Sequence, residues 1–185
     1  MHIDIWSDIA CPWCYLGLTR FRVALDGFAR AAAVEVRLRS FQLDPGLPES
    51  FDGTEFDYLA TAKGIPVEQA RHLTAQVAAA AEPDGLRFDF DALAVANSRR
   101  AHRLVQWARH SDPSGQTAWR LELLLFAAHF ADGQSIWEPA VLVRLATEAG
   151  LEAESARAAL EDAELDAEVA ADIALARAWG IQGVP

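Results

Sequence analysis

Two short segments near the beginning of the chain have the pattern of β-strands. Residues 34–41 alternate apolar and polar side chains, and an alternation with period two puts every second side chain on the same face of a sheet. Residues 2–6 carry Ile3, Ile5 and Trp6 and predict a first, buried strand. Residues 12–31 lie between them, with apolar side chains near helical spacing. This order predicts a parallel pair of strands joined by a right-handed crossover.

After residue 50 the pattern becomes helical, and proline or glycine separates one helix from the next. The predicted helices are 55–63, 66–82, one capped by Asn97 or Ser98 that ends at 110, 116–131, 139–149, 155–160 and 163–179. The helix at 116–131 is apolar around most of its girth, which predicts burial on several sides. Residues 86–90 alternate weakly, and we expect them to be extended.

Composition limits the classes of partner. Acidic residues number 27 against 16 Lys and Arg, which gives a net charge of −11, and 52% of the 185 residues are hydrophobic. The acidic balance argues against nucleic acid and anionic membranes as partners. The apolar runs are too short to span a bilayer, for which about 18 residues are needed.

The first residues carry no basic region, apolar core or cleavage site of a secretory signal peptide. We therefore expect a cytoplasmic protein. In that compartment an isolated pair of cysteines is catalytic or sensory rather than structural.

The main candidate for chemistry is Cys11-Pro12-Trp13-Cys14, which contains both cysteines of the chain. The motif stands where the first strand gives way to the first helix. Backbone N–H groups and the helix dipole favour negative charge at a helix N-terminus, so Cys11 is predicted to be the attacking thiolate. Cys14, one turn further along, is placed to resolve a mixed disulfide. Pro12 suits the first helical position because its missing N–H has no partner there.

Three other interpretations of the cysteines are weaker. A zinc site would need a second pair of ligands, and the five histidines show no close pair. A structural disulfide between residues three apart would close too small a loop to constrain the unfolded chain much. Two inert core cysteines would not explain the proline between them or their place at a helix start.

Several motifs together resemble one family. Residues 5–17 (IWSDIACPWCYLG), 41–45 (FQLDP), 97–104 (NSRRAHRL) and 180–185 (GIQGVP) are similar to DsbA-like thioredoxin-fold oxidoreductases, and more closely to their FrnE branch. These motifs occur in order from end to end, so the resemblance covers the whole chain.

The resemblance implies an α/β protein, a thioredoxin fold with a large all-helical insertion. The thioredoxin-fold domain would comprise residues 1–51 and 166–185, and the helical insertion residues 52–165. The family continues with a β-hairpin and a last helix after its Val-Pro, so we expect these elements to be missing here. A homodimer is one way to cover the resulting gap in the sheet.

The resemblance also implies which residues meet the substrate. Pro185, preceded by Val184, stands where the family has a cis-proline whose loop pairs with a bound substrate chain. Pro12 and Trp13 would lie beside the substrate at the motif. His102 is a further candidate for substrate binding, although a histidine among apolar helix positions more often makes a structural hydrogen bond.

The predicted function is thiol-disulfide exchange with a protein disulfide or small-molecule thiol, without metal or organic cofactor, and with glutathione as a possible co-substrate. One alternative is a glutathione-dependent isomerase of the 2-hydroxychromene-2-carboxylate isomerase type. By the resemblance, those isomerases carry serine where Cys11 stands. The other alternative is a redox-inactive binding or scaffold protein.

Overall fold

The computed structural model of the protein describes residues 1–184 and begins with a parallel pair of strands. Strand β1 (His2–Ser7) lies beside β2 (Glu35–Ser40), in a register that sets Ile5 opposite Leu38. In the described residues this pair is the whole sheet. The two predicted strands and their parallel connection through a helix are confirmed.

Helix α1 (Pro12–Asp26) makes that connection and is shorter than the predicted 12–31. Glycine has low helix propensity, and Gly27 follows the last helical residue. The Phe28 N–H then donates to the Leu25 carbonyl at 3.0 Å, a bond across three residues that tightens the helix end. Residues Ala31–Ala33 form a separate 3-10 turn before β2.

The rest of the described chain is helical. The remaining helices are α2 (Glu55–Lys63), α3 (Val67–Ala81), α4 (Arg99–Ser111), α5 (Gln116–Phe130), α6 (Pro139–Glu148), α7 (Ala153–Ala159) and α8 (Ala163–Ala178), with a 3-10 turn at Glu82–Asp84. All seven predicted helices are confirmed to within two residues at each end. The segment 86–90, which we expected to be extended, joins neither strand of the sheet and forms no strand of its own. Its Asp89 N–H bonds instead to the Phe130 carbonyl at the end of α5.

Helix α5 lies at the centre of the main hydrophobic core. Leu121, Leu125, Phe126 and Phe130 are all buried, in one cluster with residues of α1, β2, α3, α4, α6 and α7. Burying each such side chain stabilises the fold by about 1.5–3 kcal/mol. The predicted burial of this helix on several sides is confirmed.

A smaller cluster and a buried polar network attach α8 to the sheet. Trp6 and Phe41 pack on Ala176, and the Trp6 indole donates to the Asp172 carbonyl at 2.9 Å. Arg39 of β2 bridges Asp4 and the Asp172 carboxylate at 2.6 and 2.7 Å. These contacts hold α8 against β1, the strand that leads into the cysteine motif.

No helix among residues 1–184 is long and apolar enough to cross a membrane. The division into a thioredoxin-fold domain and a helical insertion at residues 52–165 stays a prediction.

Candidate functional site

The cysteine motif lies at the junction of β1 and α1, as predicted. Cys11 is the N-cap of α1 with extended backbone angles (φ −103°, ψ 112°), and Pro12 opens the helix. A turn closed by the Cys11 N–H and the Asp8 carbonyl at 2.9 Å carries the chain from the strand into the helix. Cys11 and Cys14 are each only 3% exposed, whereas Trp13 between them is 43% exposed.

The two thiols have opposite protonation tendencies. A hydrogen bond from the Cys14 thiol is the largest influence on Cys11 and lowers its pKa, with help from the backbone N–H groups of Cys14 and Trp13. Burial opposes this shift but does not reverse it. The same thiol–thiolate bond, together with burial, raises the pKa of Cys14 strongly. The arrangement therefore favours a thiolate on Cys11 and a protonated thiol on Cys14.

Asp8 is a buried carboxylate next to this pair. Its oxygens accept from the Leu43 N–H at 2.7 Å and the Ala10 N–H at 3.1 Å, and His102 Nε2 lies 3.4 Å away. Burial alone would raise the pKa of Asp8, but the hydrogen bond and charge of His102 bring it below its usual value. The negative charge of Asp8 in turn raises the pKa of Cys11.

His102 is thus held by Asp8. Its side chain is 2% exposed and belongs to the buried face of α4. A direct contact between His102 and substrate stays a prediction. Its observed contact is the structural kind of hydrogen bond that the sequence pattern favoured.

A second buried acid, Glu122 of α5, lies close to Asp8 and His102. Burial raises the pKa of Glu122 to about 7, opposed by the hydroxyl of Ser7. Ser7 also lowers the pKa of Cys14, so this serine neighbours both groups. Further along α5, burial lowers the pKa of His129 to about 4 and keeps its ring neutral at physiological pH. Sequence reasoning missed these residues, although Glu122 is the one acidic residue in the apolar stretch 116–130.

A cavity of about 700 Å³ opens in front of Cys11. Pro12, Trp13 and Val184 border it, and their contacts with a substrate stay predictions. Pro185 lies outside the described residues, so a cis peptide bond before it stays a prediction of the family resemblance. A larger surface trough of about 1000 Å³ is bordered by the beginning of β2 and the ends of α1 and α4, and its lining includes no cysteine.

Residues from several separate segments of the chain line the cavity. Its other lining residues are Asp8, Ala10, Leu43, Asp44, Leu47, Glu55, Tyr58, Leu59, Ala62, Lys63, Leu73, Thr74, Gln76, Val77, Phe90, Val95, Ala96, Ser98 and His129. Helices α2 and α3 supply nine of these lining residues. A volume of this size suits a small molecule or one or two side chains of a peptide.

Metal binding has no support in the described part of the chain. Among residues 1–184 no group of three or more His, Cys, Asp or Glu side chains is arranged to hold an ion.

Comparison with known proteins gives one family and several structural relatives. The model of the DSBA-like thioredoxin domain matches residues 2–185. The crystal structure of a probable DsbA oxidoreductase from Streptomyces coelicolor is 37% identical, with a TM-score of 0.90 over 100% of this chain and 78% of that chain. The uncharacterized protein YwbO of Bacillus subtilis is 26% identical over 162 residues, 87% of this chain and 72% of that protein.

A more distant structure has the same fold. The cytosolic disulfide reductase DsbM of Pseudomonas aeruginosa is 24% identical, with a TM-score of 0.62 over 100% of this chain and 82% of that chain. DsbM has also been solved with GSH. At this identity the likeness concerns the fold alone.

Proposed function

This chain belongs to the family of DSBA-like thioredoxin domains and has their fold, and we propose that it is a thiol-disulfide oxidoreductase acting through Cys11 and Cys14. The observation that carries the proposal is the asymmetry of the pair. Cys11 is the thiol with the lowered pKa and borders an open cavity, while Cys14 keeps its proton behind it.

In the reductive direction the exchange takes two steps. The Cys11 thiolate attacks one sulfur of the substrate disulfide, forms a mixed disulfide and releases the first substrate thiolate. Cys14 then loses its proton, attacks the Cys11 sulfur and releases the second substrate thiolate. Two electrons pass from the protein dithiol to the substrate, and the Cys11–Cys14 disulfide remains. The oxidative direction is the exact reverse of these steps.

Residues around the nucleophile would orient the substrate. Trp13 offers an exposed indole face at the cavity edge, and Pro12 starts the helix so that the Cys11 sulfur stays at its N-terminus. We propose that Val184 contacts the substrate from the opposite border of the cavity. The same role for Pro185, and a contact from His102, remain predictions of the family resemblance.

The isomerase alternative is less well supported. The isomerases of this resemblance carry serine at the position of Cys11, and a serine hydroxyl does not exchange disulfides. This chain has an intact pair with opposite shifts of pKa, which an isomerase of that type would not need. The scaffold alternative is also less well supported, because a binding protein without redox activity would not need a cysteine with a lowered pKa.

The partners and the compartment stay predictions. We propose a cytoplasmic protein that acts on a protein disulfide or a small-molecule thiol, and the homodimer remains an expectation. Glutathione is one possible co-substrate, and DsbM solved with GSH is a precedent from a protein of the same fold.

The first test replaces each cysteine separately by serine. Cys11→Ser is expected to abolish disulfide reduction, because the attacking sulfur is gone. Cys14→Ser should instead accumulate a mixed disulfide at Cys11, visible by intact mass after reaction with a disulfide probe. Circular dichroism of both variants controls for folding. Equal residual turnover in the two variants would contradict the proposal, and turnover that strictly requires glutathione would favour the isomerase.

A further inference from the structure

The cavity in front of Cys11 combines apolar walls with acidic groups. Its apolar wall residues include Leu43, Leu47, Leu59, Leu73, Val77 and Phe90. Asp8, Asp44 and Glu55 are the carboxylates among its lining residues. An occupant of this cavity must therefore tolerate both apolar surface and nearby negative charge.

Tyr58 marks the place where the acidic groups converge. Its hydroxyl donates to an Asp44 carboxylate oxygen at 3.1 Å. The pKa of this phenol is raised by burial first and then by the charges of Asp44, Glu55 and Asp8, so all three carboxylates act on one point of the cavity wall. A negative charge placed near that point would be repelled in the same way as a phenolate.

Positive charge is scarce at the same surface. Among the described residues that line the cavity, Lys63 is the one Lys or Arg, and its side chain is exposed to solvent. The other basic side chain is His129, whose pKa is lowered by burial and whose ring is therefore neutral at physiological pH. His102, on the far side of Asp8, is engaged with that carboxylate.

We propose that this cavity binds a small disulfide with an apolar body and no negative charge, and that it selects such substrates over anionic disulfides such as oxidised glutathione. The inference rests on the proposed function, since the bound disulfide is the one that Cys11 attacks. Apolar walls supply affinity through the area they remove from water, and the carboxylates supply specificity by repelling an anionic partner.

The chemical step is the one described for Cys11 and Cys14. The neutral disulfide RSSR accepts two electrons from the dithiol and leaves as two thiols, while Cys11 and Cys14 become a disulfide. The release of each thiolate places negative charge in an acidic cavity, which favours its departure once it has formed.

The test compares two aromatic disulfides of opposite character, uncharged dithiodipyridine and dianionic dithiobis-nitrobenzoate. The rate of each with the reduced protein is divided by its rate with dithiothreitol at the same pH, which removes the difference in intrinsic reactivity. We expect the normalised rate to favour the uncharged probe about tenfold, the size expected for like charges several ångströms apart in a partly buried site. Oxidised glutathione, normalised in the same way, should behave as the anionic probe does, and this result would count against glutathione as the co-substrate.

Variants locate the source of the selectivity. At a pH about one unit above the raised pKa of Glu55, Glu55→Gln and Asp44→Asn each remove one negative charge at nearly constant shape. The ratio of the two normalised rates should then fall about threefold in each. Glu154→Gln makes the same chemical change on the exposed surface of α7, outside the cavity lining, and should leave the ratio unchanged. Circular dichroism of the variants excludes loss of fold.

The pH dependence of the ratio gives a second readout. Burial raises the pKa of Glu55 to about 7, opposed by Lys63 on the same helix, while Asp44, Asp8 and the Tyr58 phenol face the same region. Glu55 gains its charge as pH rises through 7, so the ratio should increase there and Glu55→Gln should flatten that increase. Ionisation of Cys11 changes both rates together and cancels in the ratio.

The outcomes separate the two proposals. Equal normalised rates for the two probes, with both reactions lost in Cys11→Ser, would overturn the selectivity and leave the oxidoreductase in place. A ratio that responds to Glu154→Gln as much as to Glu55→Gln would also overturn it. If Cys11→Ser reacted with either probe as fast as the native protein does, the oxidoreductase function itself would be contradicted.

Discussion

Cys11 owes its lowered pKa first to a single neighbour. Helix N-terminal position explains part of the effect, through the backbone N–H groups of Trp13 and Cys14, but the thiol of Cys14 is the largest influence. The two sulfur atoms therefore work as one unit, in which the proton of the second stabilises the charge of the first.

This dependence can be tested by titration of the Cys11 thiolate through its ultraviolet absorbance. In the native reduced protein the midpoint should lie below the ordinary cysteine value of about 8.5. Cys14→Ala removes the donor and should raise the midpoint, while Cys14→Ser keeps an O–H donor and should raise it less. Identical midpoints in all three proteins would show that helix position alone activates Cys11.

Glu122 and His129 make opposite contributions to the pH dependence of stability. The pKa of Glu122 rises from 4.5 to about 7 on folding. Its stabilising contribution to the free energy of unfolding is therefore fully present below pH 4.5 and is lost as pH rises through 7. The pKa of His129 falls from 6.5 to about 4, so its contribution is present above 6.5 and is lost as pH falls toward 4. Each contribution amounts to about 3 kcal/mol. Between pH 4.5 and 6.5 the two change with pH in opposite directions, so their effects on the free energy of unfolding nearly cancel.

Replacing one of the two groups should remove this cancellation. In Glu122→Gln the free energy of unfolding should increase with pH between 4.5 and 6.5, because His129 acts alone, whereas His129→Gln should show a decrease over the same interval. Urea unfolding at a series of pH values measures both, with Glu154→Gln as a surface control. Parallel profiles in the two variants would show that these residues are not the buried titrating groups.

At the scale of elements, α5 holds α1 in place under the motif. Tyr15, next to Cys14, stacks on Phe126 at a ring-centroid distance of 5.2 Å and lies 6.4 Å from Phe130. Phe88, from the segment before α4, approaches Tyr15 at 5.7 Å. The first turn of α1 is thus anchored by aromatic contacts with a helix far along the chain.

Phe126→Ala should therefore reduce stability strongly. The side chain is fully buried, and the loss of its apolar area together with the cavity left behind costs about 3–5 kcal/mol. Val23→Ala on the exposed face of α1, where the side chain is 70% exposed, should change stability by less than about 0.5 kcal/mol. Denaturant unfolding measures both, and similar midpoints would contradict the anchoring role of Phe126.

The limits of the helices illustrate how local signals succeed and fail. The Thr54 side chain and Asp57 form a capping box, and Gly64 ends α2 in the left-handed conformation, so 55–63 was predictable to the residue. At 86–90 the weak alternation indicated only an extended segment. The segment has no neighbouring strand in the described chain, and its Phe88 and Phe90 rings stack into the core 5.5 Å apart.

At the scale of the whole molecule, the nucleophile and its surroundings come from different parts of the chain. Cys11 follows β1, whereas α2 and α3 provide nine of the cavity's lining residues and α5 provides Glu122 and His129. The selectivity proposed for the cavity is therefore a property of how the helices pack beside the motif. Changes in these helices can alter substrate choice without altering the sulfur chemistry.

The sequence by itself determined the order of strands and helices and the family, and it predicted Cys11 as the nucleophile. These follow from signals that are local or that recur in order: two cysteines three residues apart, a proline at a helix start, apolar periodicity and glycine caps. Each of these signals comes from residues close together along the chain, so it can be recognised without knowledge of tertiary contacts.

Only the tertiary structure decided what surrounds the sulfur atoms. Asp8 meets His102 across 94 residues, and Tyr58 lines a cavity together with residues as distant along the chain as Cys11 and His129. Burial sets the pKa of Glu55, Glu122 and His129, and burial depends on packing between elements distant in sequence. An acidic residue looks the same along the chain whether it is solvated or enclosed, because only the fold removes it from water.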